Sequence, residues 1–590
     1  VIPDVWGRFQ AWGLALRDQM GGSDSSRGHA TSDRRLRALA CRQLGRRGLS
    51  MLTMTCKEET AVPAVERLSG WDFATWRSAT DDPAMRSTMI GLLILEKSPD
   101  WDRLVDRYDR ASRTVPILRK RVVEGPVAIA NPRLVVDPNF DLSFHMRRFT
   151  AAEGTTWTDV LDECRRQSMT DFDRDRPLWR ITLLEGLPGG KAAIISKLHH
   201  AIADGQGAMQ LGAAVVDISP EGFDLGPMPE APEATTLTPR HFAEIMVQDN
   251  SEWLVNTAKD VMREAIPTLI NALTSPQETV DNIVETVSSL ARFANTPTSP
   301  LSPVMHKRSI NYHYDNFDVP FGDLRAGAKK HGHTVNDGFL AAISFGMRDY
   351  HNKLGAPVDE LHINMPISTR SSAEDAQNAV SIARFDLPTN FTDINKLMDS
   401  LGATVKKLRA EPALDYANQL GEISRFLPTE LLTQAAQASD VTASNVPGPP
   451  VPVYLAGAKV EAMIPMPPPI GAAVFVALLS YAGTASIGVA MDDAAITDRD
   501  LLMKCLRDGF AKVTGKPVSD ANPFTGVGTK SASTVRKANT AKKTTAKKTT
   551  AKKAPAKKAP AKKTSAKKAP AKKTSAKKAP AKKSTARKRK

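Results

Sequence analysis

His199 and His200 are adjacent, and Asp204 and Gly205 follow them in the run SKLHHAIADGQGAMQL. A histidine with an ordinary pKa of about 6.5 can accept a proton from a hydroxyl or a thiol at neutral pH when its ring is held in place. The Asp204 carboxylate can organise the turn, and Gly205 lets the backbone approach a partner closely. These residue types at this spacing predict a general-base site.

The neighbouring segments predict how the two histidines are presented. The run AAIISKLHH, which ends at His200, predicts a strand, and QGAMQLGAAVVD predicts a short helix after it. Adjacent side chains on an extended segment point in opposite directions, so one histidine is expected to face the site. The alternative is a surface or metal-binding pair. Metal ligands on a helix usually recur at i, i+4 with further ligands, which this run does not offer.

The spacing HHxxxDG, here HHAIADG at 199–205, resembles the signature of the CoA-dependent acyltransferase superfamily. Further segments resemble motifs of one of its families, the bacterial wax ester synthase/diacylglycerol acyltransferases, in order and spacing. These segments are RLSGWDFATW at 67–76, DPNFDLSFHMRR at 137–148, DRPLWRITLLEG at 175–186, VNDGFLAAISFGMRDY at 335–350, MPISTR at 365–370 and ASNVPGPP at 443–450. The resemblance covers about residues 65–515. MPISTR, and QNAV at 377–380, depart from the family pattern, which bears on substrate choice more than on reaction class.

This resemblance implies an acyl-CoA-dependent O-acyltransferase. His200 would take the proton from an acceptor alcohol whose oxygen attacks the acyl-CoA thioester, giving an ester and free CoA without an acyl-enzyme. His199 would support the loop or the orientation of the catalytic ring. A diacylglycerol acceptor would give triacylglycerol, and a long-chain alcohol would give a wax ester. This mechanism implies no metal and no redox cofactor, and acyl-CoA takes part as a substrate.

The resemblance also implies an ion pair between Asp204 and Arg370 that holds the histidine loop. A surface position for Arg370 is the alternative. Pro177 and Trp179, in the PLW motif, are expected to shape the fold or the wall of a substrate tunnel.

Three polar residues of the second half belong to the same set of candidates. Asn336 and Asp337 stand at the start of a predicted helix, where they either cap the helix or contact substrate. Asn445 opens the NVPGP segment, which predicts a rigid turn through Pro449 and is a candidate for substrate contact.

Residues 530–590 are strongly basic and repetitive. They hold 25 Lys and Arg and no Asp or Glu, which leaves 55 basic against 64 acidic residues, a net charge of −9, in the rest of the chain. AKKAP, AKKTS and AKKTT recur with a five-residue step and without apolar anchors, so this tail is expected to be disordered. Its composition resembles that of linker-histone tails. Its charge suits anionic lipid or nucleic acid, and a solvated tail without a partner is the other alternative.

These observations divide the chain into five segments. Residues 1–60 are Ser- and Arg-rich, lack the apolar core of a secretory signal, and are expected to be a poorly ordered extension. The resemblance implies an α/β fold with two chloramphenicol-acetyltransferase-like subdomains, and apolar stripes at helical spacing predict a helical connector. The expected ranges are 61–220 for the first subdomain with HHxxxDG, 221–300 for the linker and connector helices, 301–520 for the second subdomain and 521–590 for the disordered tail.

The charge-free stretch from Met463 to Met491 is long enough to cross a membrane as a helix. However, MPPPIG breaks a helix at its start and Gly483 interrupts its end. AVFVALLSY and ASIGVAM are therefore expected to be two buried strands joined by a turn, and membrane contact is expected to be peripheral.

Four cysteines without a CxxC pair argue against a zinc site and a disulfide framework and fit a reducing cytoplasm. The expected location is the cytoplasm, with peripheral attachment to the inner face of the plasma membrane or to lipid inclusions. Two alternative functions remain open. One is a condensation-type enzyme acting on carrier-protein thioesters, although the sequence holds no carrier module. The other is a lipid-binding scaffold that the basic tail tethers to nucleic acid.

Overall fold

A computed structural model describes residues 65–68, 70–125, 131–203, 205–238, 241, 244–245, 297–368, 380–410 and 429–525. The predicted N-terminal extension, most of the predicted connector and the basic tail lie outside these described residues. Helices and strands both recur along the described part of the chain, which confirms the predicted mixed α/β architecture.

The first half alternates strands and helices. Its elements are β1 (Glu66–Arg67), α1 (Gly70–Asp81), β2 (Thr88–Leu95), α2 (Trp101–Thr114), β3 (Lys120–Val123), β4 (Arg133–Val136), α3 (Leu142–His145), β5 (Met146–Thr150), α4 (Trp157–Met169), β6 (Trp179–Leu187), β7 (Lys191–His199) and α5 (Gly205–Ala213). Side-chain caps fix several helix starts. Asp100 accepts the backbone N–H of Arg103 at the start of α2, and Thr156 and Asp159 form a capping box on α4.

The second half carries the longest described helices and a buried sheet. Its elements are β8 (Tyr312–Pro320), α6 (Phe321–Lys330), α7 (Val335–Lys353), β9 (Glu360–Ser368), β10 (Val380–Pro388), α8 (Ile394–Arg409), α9 (Thr429–Gln437), β11 (Val441–Pro447), β12 (Tyr454–Leu455), β13 (Ala458–Met466), β14 (Val474–Tyr481), β15 (Thr484–Asp492) and α10 (Arg499–Thr514). The predicted helix over 335–350 is confirmed as α7, which packs against α10. Its apolar face forms the core of this half with the buried strands of the sheet.

Two six-stranded sheets organise the described residues. The first has the order β12-β13-β2-β7-β6-β5, and the second has the order β10-β9-β11-β14-β15-β8. A small third sheet, β1-β4-β3, lies in the first half. A shared apolar core joins the halves, because Trp157 of α4 and Ile195 of β7 belong to the same cluster as Tyr314 of β8 and Phe475 of β14.

Strands β12 and β13 belong to the second half of the chain but to the sheet of the first half. Strand β13 pairs antiparallel with β2, with Met463 opposite Leu93. The same strand crosses β15 closely enough that a Cβ atom on Gly488 would lie 1.6 Å from the carbonyl oxygen of Pro465. The two sheets are therefore joined by side-chain packing and by β12 and β13, which come from the second half and pair in the sheet of the first half.

The charge-free stretch forms the two strands that were predicted. Strands β14 and β15 pair antiparallel, with Tyr481 opposite Thr484, and nearly all of their side chains are buried. The two loop residues between them, Ala482 and Gly483, have φ values of 45° and 90°. Positive φ at both central positions is what a two-residue hairpin of type I′ requires, and glycine adopts it without strain. No helix within the described residues is long and apolar enough to span a bilayer.

The start of the predicted linker is bound along α2. Arginines at positions 103, 107, 110 and 113 share one face of that helix because they recur at helical spacing. Arg107 donates to Asp217 at 2.6 Å, Arg110 donates to the carbonyl oxygen of Gly226 at 2.6 Å, and Arg113 donates to that of Pro229 at 3.0 Å. Residues 217–229 thus form a strap on α2 rather than a free linker.

Candidate active site

The backbone at the two predicted histidines is fixed from both sides. His199 is the last residue of β7, which confirms the predicted strand, and His200 follows directly. The backbone N–H of His199 donates to the carbonyl oxygen of Leu178 at 3.1 Å, and that of His200 donates to the carbonyl oxygen of Ser87 at 2.8 Å. Thr88 of β2 lies opposite His199 in the sheet. The histidines therefore sit at a strand end that its neighbours hold in place.

The His199 side chain is buried, with 3% of its surface exposed. Its ring lies edge-on to Trp76 at 5.6 Å and to Phe172 at 5.9 Å between ring centroids. Nδ1 accepts the backbone N–H of Ala201 at 3.1 Å, which places the ring proton on Nε2. Burial lowers the pKa of His199 to about 3, so the ring is neutral at physiological pH.

Acid is expected to destabilise the fold through His199. In the unfolded chain, this imidazole has an ordinary pKa near 6.5, whereas the folded pKa is about 3. Between these values the unfolded state binds a proton that the folded state does not bind. The free energy of unfolding therefore falls as the pH falls through this window, by up to about 1.4 kcal/mol per pH unit from this one group.

The substitution His199→Asn tests this expectation, because asparagine does not titrate and its side-chain oxygen can accept the Ala201 N–H. Chemical denaturation between about pH 6 and pH 4 should give a shallower loss of stability for His199→Asn than for the wild type. Parallel stability curves for the two proteins would contradict the assignment of a neutral, buried His199.

His200 is less buried than His199. After burial, the charge of a protonated His200 is among the causes that lower the pKa of His199. The arrangement pairs a buried, neutral ring of fixed tautomer with a more accessible one. The accessible ring can take a proton from a hydroxyl or a thiol, while the buried ring holds the strand end.

The turn after the histidines is only partly described. Asp204 and Arg370 lie outside the described residues, so the predicted ion pair between them stays a prediction. Gly205 is the first residue of α5, which contacts β11 of the second half. The helix that follows the histidines thus lies at the junction of the two halves.

The PLW residues lie in the core at the start of β6, which pairs with the histidine strand. Pro177 is buried, and Trp179 is 3% exposed with its Nε1–H donated to the carbonyl oxygen of Leu118 at 2.7 Å. The Trp179 ring stacks between His145, at 4.4 Å, and Tyr108, at 6.0 Å. These contacts give Trp179 a packing role, and contact with a substrate tunnel stays a prediction.

His145 is a residue that sequence reasoning missed. It is fully buried, and its Nδ1–H donates to the carbonyl oxygen of Trp179 at 2.8 Å. Burial lowers its pKa to about 4, and none of the described residues offers its buried Nε2 a hydrogen-bond partner. His145 thus fixes the residue next to Leu178, whose carbonyl oxygen holds His199. The motif DPNFDLSFHMRR contains this histidine, but a single histidine on an apolar segment gives no signal of its own.

Asn336 and Asp337 lie in the first turn of α7. Thr334 is the N-cap, and the Asp337 carboxylate closes a capping box with it, accepting the Thr334 N–H at 2.9 Å. Capping is thus the alternative that the structure favours for Asp337. The Asn336 side chain donates to the sulfur of Met365 at 3.7 Å.

The segment that begins at Asn445 starts as an extended strand, and the chain leaves the strand only after Pro447. Asn445 lies in β11 opposite Leu478 of β14, and β11 continues to Pro447. The predicted turn from Asn445 to Pro449 is therefore wrong for its first three residues, because pairing with β14 keeps them extended.

The described residues hold no group of three or more His, Cys, Asp or Glu side chains placed to bind a metal ion. Cys164 and Cys505 are free thiols in the core.

Comparison with known proteins matches two family models to the chain. The wax ester synthase/diacylglycerol acyltransferase catalytic domain matches residues 68–339, and the WS/DGAT C-terminal domain matches residues 376–514. A protein of Mycobacterium tuberculosis H37Rv named "Putative diacyglycerol O-acyltransferase Rv2484c" is 32% identical, over 73% of this chain and 88% of its own length. "Probable diacyglycerol O-acyltransferase tgs1" of the same strain is 27% identical, over 72% of this chain and 91% of its own length.

Among solved structures, the first condensation domain of the calcium-dependent antibiotic synthetase has a similar fold. Its TM-score is 0.52 at 13% sequence identity, and the match covers 78% of this chain and 99% of that domain. At this identity the likeness concerns the fold alone.

Proposed function

Because the chain belongs to the wax ester synthase/diacylglycerol acyltransferase family, we propose that His200 is the general base of its acyl-CoA-dependent acyl transfer. One observation carries this assignment. Of the two adjacent imidazoles at the end of β7, His199 is buried, neutral and occupied by the Ala201 N–H, whereas His200 is the more accessible ring.

In the proposed reaction, an imidazole nitrogen of His200 takes the proton of the acceptor hydroxyl as its oxygen attacks the thioester carbonyl carbon. The tetrahedral intermediate collapses, and the carbon–sulfur bond breaks. The proton then passes from His200 to the leaving CoA thiolate, giving an ester and free CoA. No acyl-enzyme forms, and no cofactor beyond the substrate acyl-CoA takes part. His199 acts as a positioning residue, because it holds the strand end that carries His200.

Diacylglycerol is the proposed acceptor, with triacylglycerol as the product. The names of the M. tuberculosis relatives support this choice. A long-chain alcohol, giving a wax ester, is the second acceptor to test. Asp204 and Arg370 complete the proposal as an ion pair that holds the histidine loop.

The proposed architecture is two chloramphenicol-acetyltransferase-like subdomains with acyl transfer between them. The two six-stranded sheets and the fold shared with a condensation domain support it. The acceptors are lipids, so we place the enzyme in the cytoplasm, peripherally attached to the inner face of the plasma membrane or to lipid inclusions. The basic tail, 530–590, would add contact with anionic lipid or nucleic acid.

Purified full-length protein should convert palmitoyl-CoA and dioleoylglycerol to triacylglycerol. Release of free CoA, followed with a thiol reagent, should match ester formation one to one, and hexadecanol in place of dioleoylglycerol would report wax ester synthesis. CoA released without any ester would indicate thioester hydrolysis and would contradict the proposal, as would the absence of both products.

A further inference from the structure

A narrow cleft separates the two halves beside the histidine strand. One side is formed by residues before β2 and at the end of α4, and the other by residues that lead into β8 and β14. Its lining includes Arg86, Met169, Ile310, Tyr312 and Gly471. The cleft holds about 20 Å³ of free space, which is room for about one water. A larger ligand would therefore lie across its mouth rather than inside it.

One wall of the cleft is continuous in sequence with the residue that holds the backbone of the proposed general base. Ser87 follows Arg86, and its carbonyl oxygen accepts the backbone N–H of His200 at 2.8 Å. On the far side, the Tyr312 hydroxyl donates to Ser168 Oγ at 2.7 Å, and Ser168 donates to the carbonyl oxygen of Thr88 at 3.2 Å. Arg86 in the cleft wall is thus the sequence neighbour of Ser87, which holds the backbone of His200.

Arg86 gives this cleft a positive charge. The guanidinium donates one hydrogen bond, to the carbonyl oxygen of Met169 at 2.9 Å, and forms no salt bridge with any acidic side chain that the structure describes. Burial raises the pKa of the Tyr312 hydroxyl, while its hydrogen bond with Ser168 and the charge of Arg86 act in the opposite direction.

Asp492 is the acidic residue among the described residues of the cleft wall, and its side chain is buried. Asp492 is 2% exposed, and its carboxylate accepts hydrogen bonds from Ser309 and from the backbone N–H groups of Ala494 and Ala495. Ile310, which is 55% exposed, stands at the rim. The accessible part of the cleft therefore pairs a guanidinium with apolar surface.

We propose that Arg86 binds a phosphate group of acyl-CoA at the mouth of this cleft. This inference rests on the proposed function. A guanidinium suits a phosphate because it offers paired, charge-assisted hydrogen bonds. A phosphate is costly to bury, so the nucleotide end of the substrate remains at the surface while the thioester reaches the base.

Arg86→Gln, with palmitoyl-CoA and palmitoyl-pantetheine as paired substrates, tests this site. Palmitoyl-pantetheine has the same thioester but lacks every phosphate of CoA. The variant should raise the KM for palmitoyl-CoA roughly 10- to 100-fold, with little change in kcat, and should leave palmitoyl-pantetheine turnover unchanged. Arg86→Lys keeps the charge but not the paired donors, so its KM for palmitoyl-CoA should lie between those of the wild type and Arg86→Gln. Arg409→Gln, at an exposed position on α8, is the matched control.

An equal loss with both substrates would overturn the proposal, because it would mean that Arg86 merely supports Ser87 and His200. An unchanged KM for palmitoyl-CoA in a folded Arg86→Gln protein would overturn it as well. Thermal unfolding of each variant identifies misfolding, and glutamine retains an amide that can replace the bond to Met169.

A binding experiment separates this inference from the proposed function. Calorimetry with adenosine 3′,5′-bisphosphate, which carries no thioester, should show binding to the wild type and about tenfold weaker binding to Arg86→Gln. If only binding to phosphatidylglycerol vesicles weakens, the phosphate belongs to a lipid headgroup and the proposal fails. If the bisphosphate result holds but no ester forms from either acceptor, the proposed function fails while the phosphate site stands.

Discussion

Replacing His200 by alanine should reduce kcat for triacylglycerol formation by about 10²- to 10⁴-fold, the range that general-base catalysis contributes. The acceptor hydroxyl then has no base within its site, whereas the groups that bind acyl-CoA are unchanged. The KM for palmitoyl-CoA should therefore change little. Initial rates of ester formation with palmitoyl-CoA and dioleoylglycerol measure both constants.

His200→Gln and His199→Asn complete this experiment. His200→Gln keeps a polar side chain of similar size but cannot act as a base near neutral pH, so it should lose activity as alanine does. His199→Asn should lose less activity and more stability, because His199 lies in the core. Near-wild-type turnover in a folded His200→Ala protein, or a larger loss of kcat in His199→Asn, would reverse the roles assigned to the two imidazoles.

Gly488→Ala should destabilise the protein by about 3 kcal/mol or more, at the upper end of what overpacking costs. The added Cβ would lie 1.6 Å from the carbonyl oxygen of Pro465 and 2.8 Å from its carbonyl carbon. These are backbone atoms of β13, so the clash cannot be relieved by a side-chain rotation, and β13 would have to move away from β15. Chemical denaturation would report the loss as a lower midpoint.

Gly91→Ala is the matched control for this substitution. Gly91 is also a strand glycine, in β2, and its added Cβ would lie 3.8 Å from the Cβ of Ser196, an ordinary contact. The free energy of unfolding of Gly91→Ala should stay within about 0.5 kcal/mol of that of the wild type. Equal denaturation midpoints for the Gly488 and Gly91 variants would refute a close crossing of β13 over β15.

Local patterns were enough to predict several elements. The strand before the histidines was predicted from its β-favouring residues and α7 from its apolar residues at helical spacing. The buried hairpin of β14 and β15 was predicted from the prolines and the glycine that interrupt a helix there. The alternation of side chains on a strand also predicted that the two histidines differ. The structure adds that His199 is the buried one, which depends on Trp76 and Phe172 and on no local signal.

Features that depend on distant pairing were not predictable. The NVPGP segment has the composition of a turn, but pairing of Asn445 with Leu478 extends it as strand to Pro447. The four arginines of α2 show the spacing of a helix face, yet their partners, residues 217–229, lie more than one hundred residues away. The role of His145 likewise arises from Trp179, which follows it by 34 residues.

The position of β12 and β13 bears on how such a chain can evolve. Because these strands come from the second half but complete the sheet of the first, recombination at the connector would separate β13 from β2, with which it pairs. A hybrid of two relatives joined at the connector would place β12 and β13 of one parent beside β2 of the other. We therefore expect functional chimeras only when residues 454–466 are inherited together with the first half, so the two halves should diverge as a single unit.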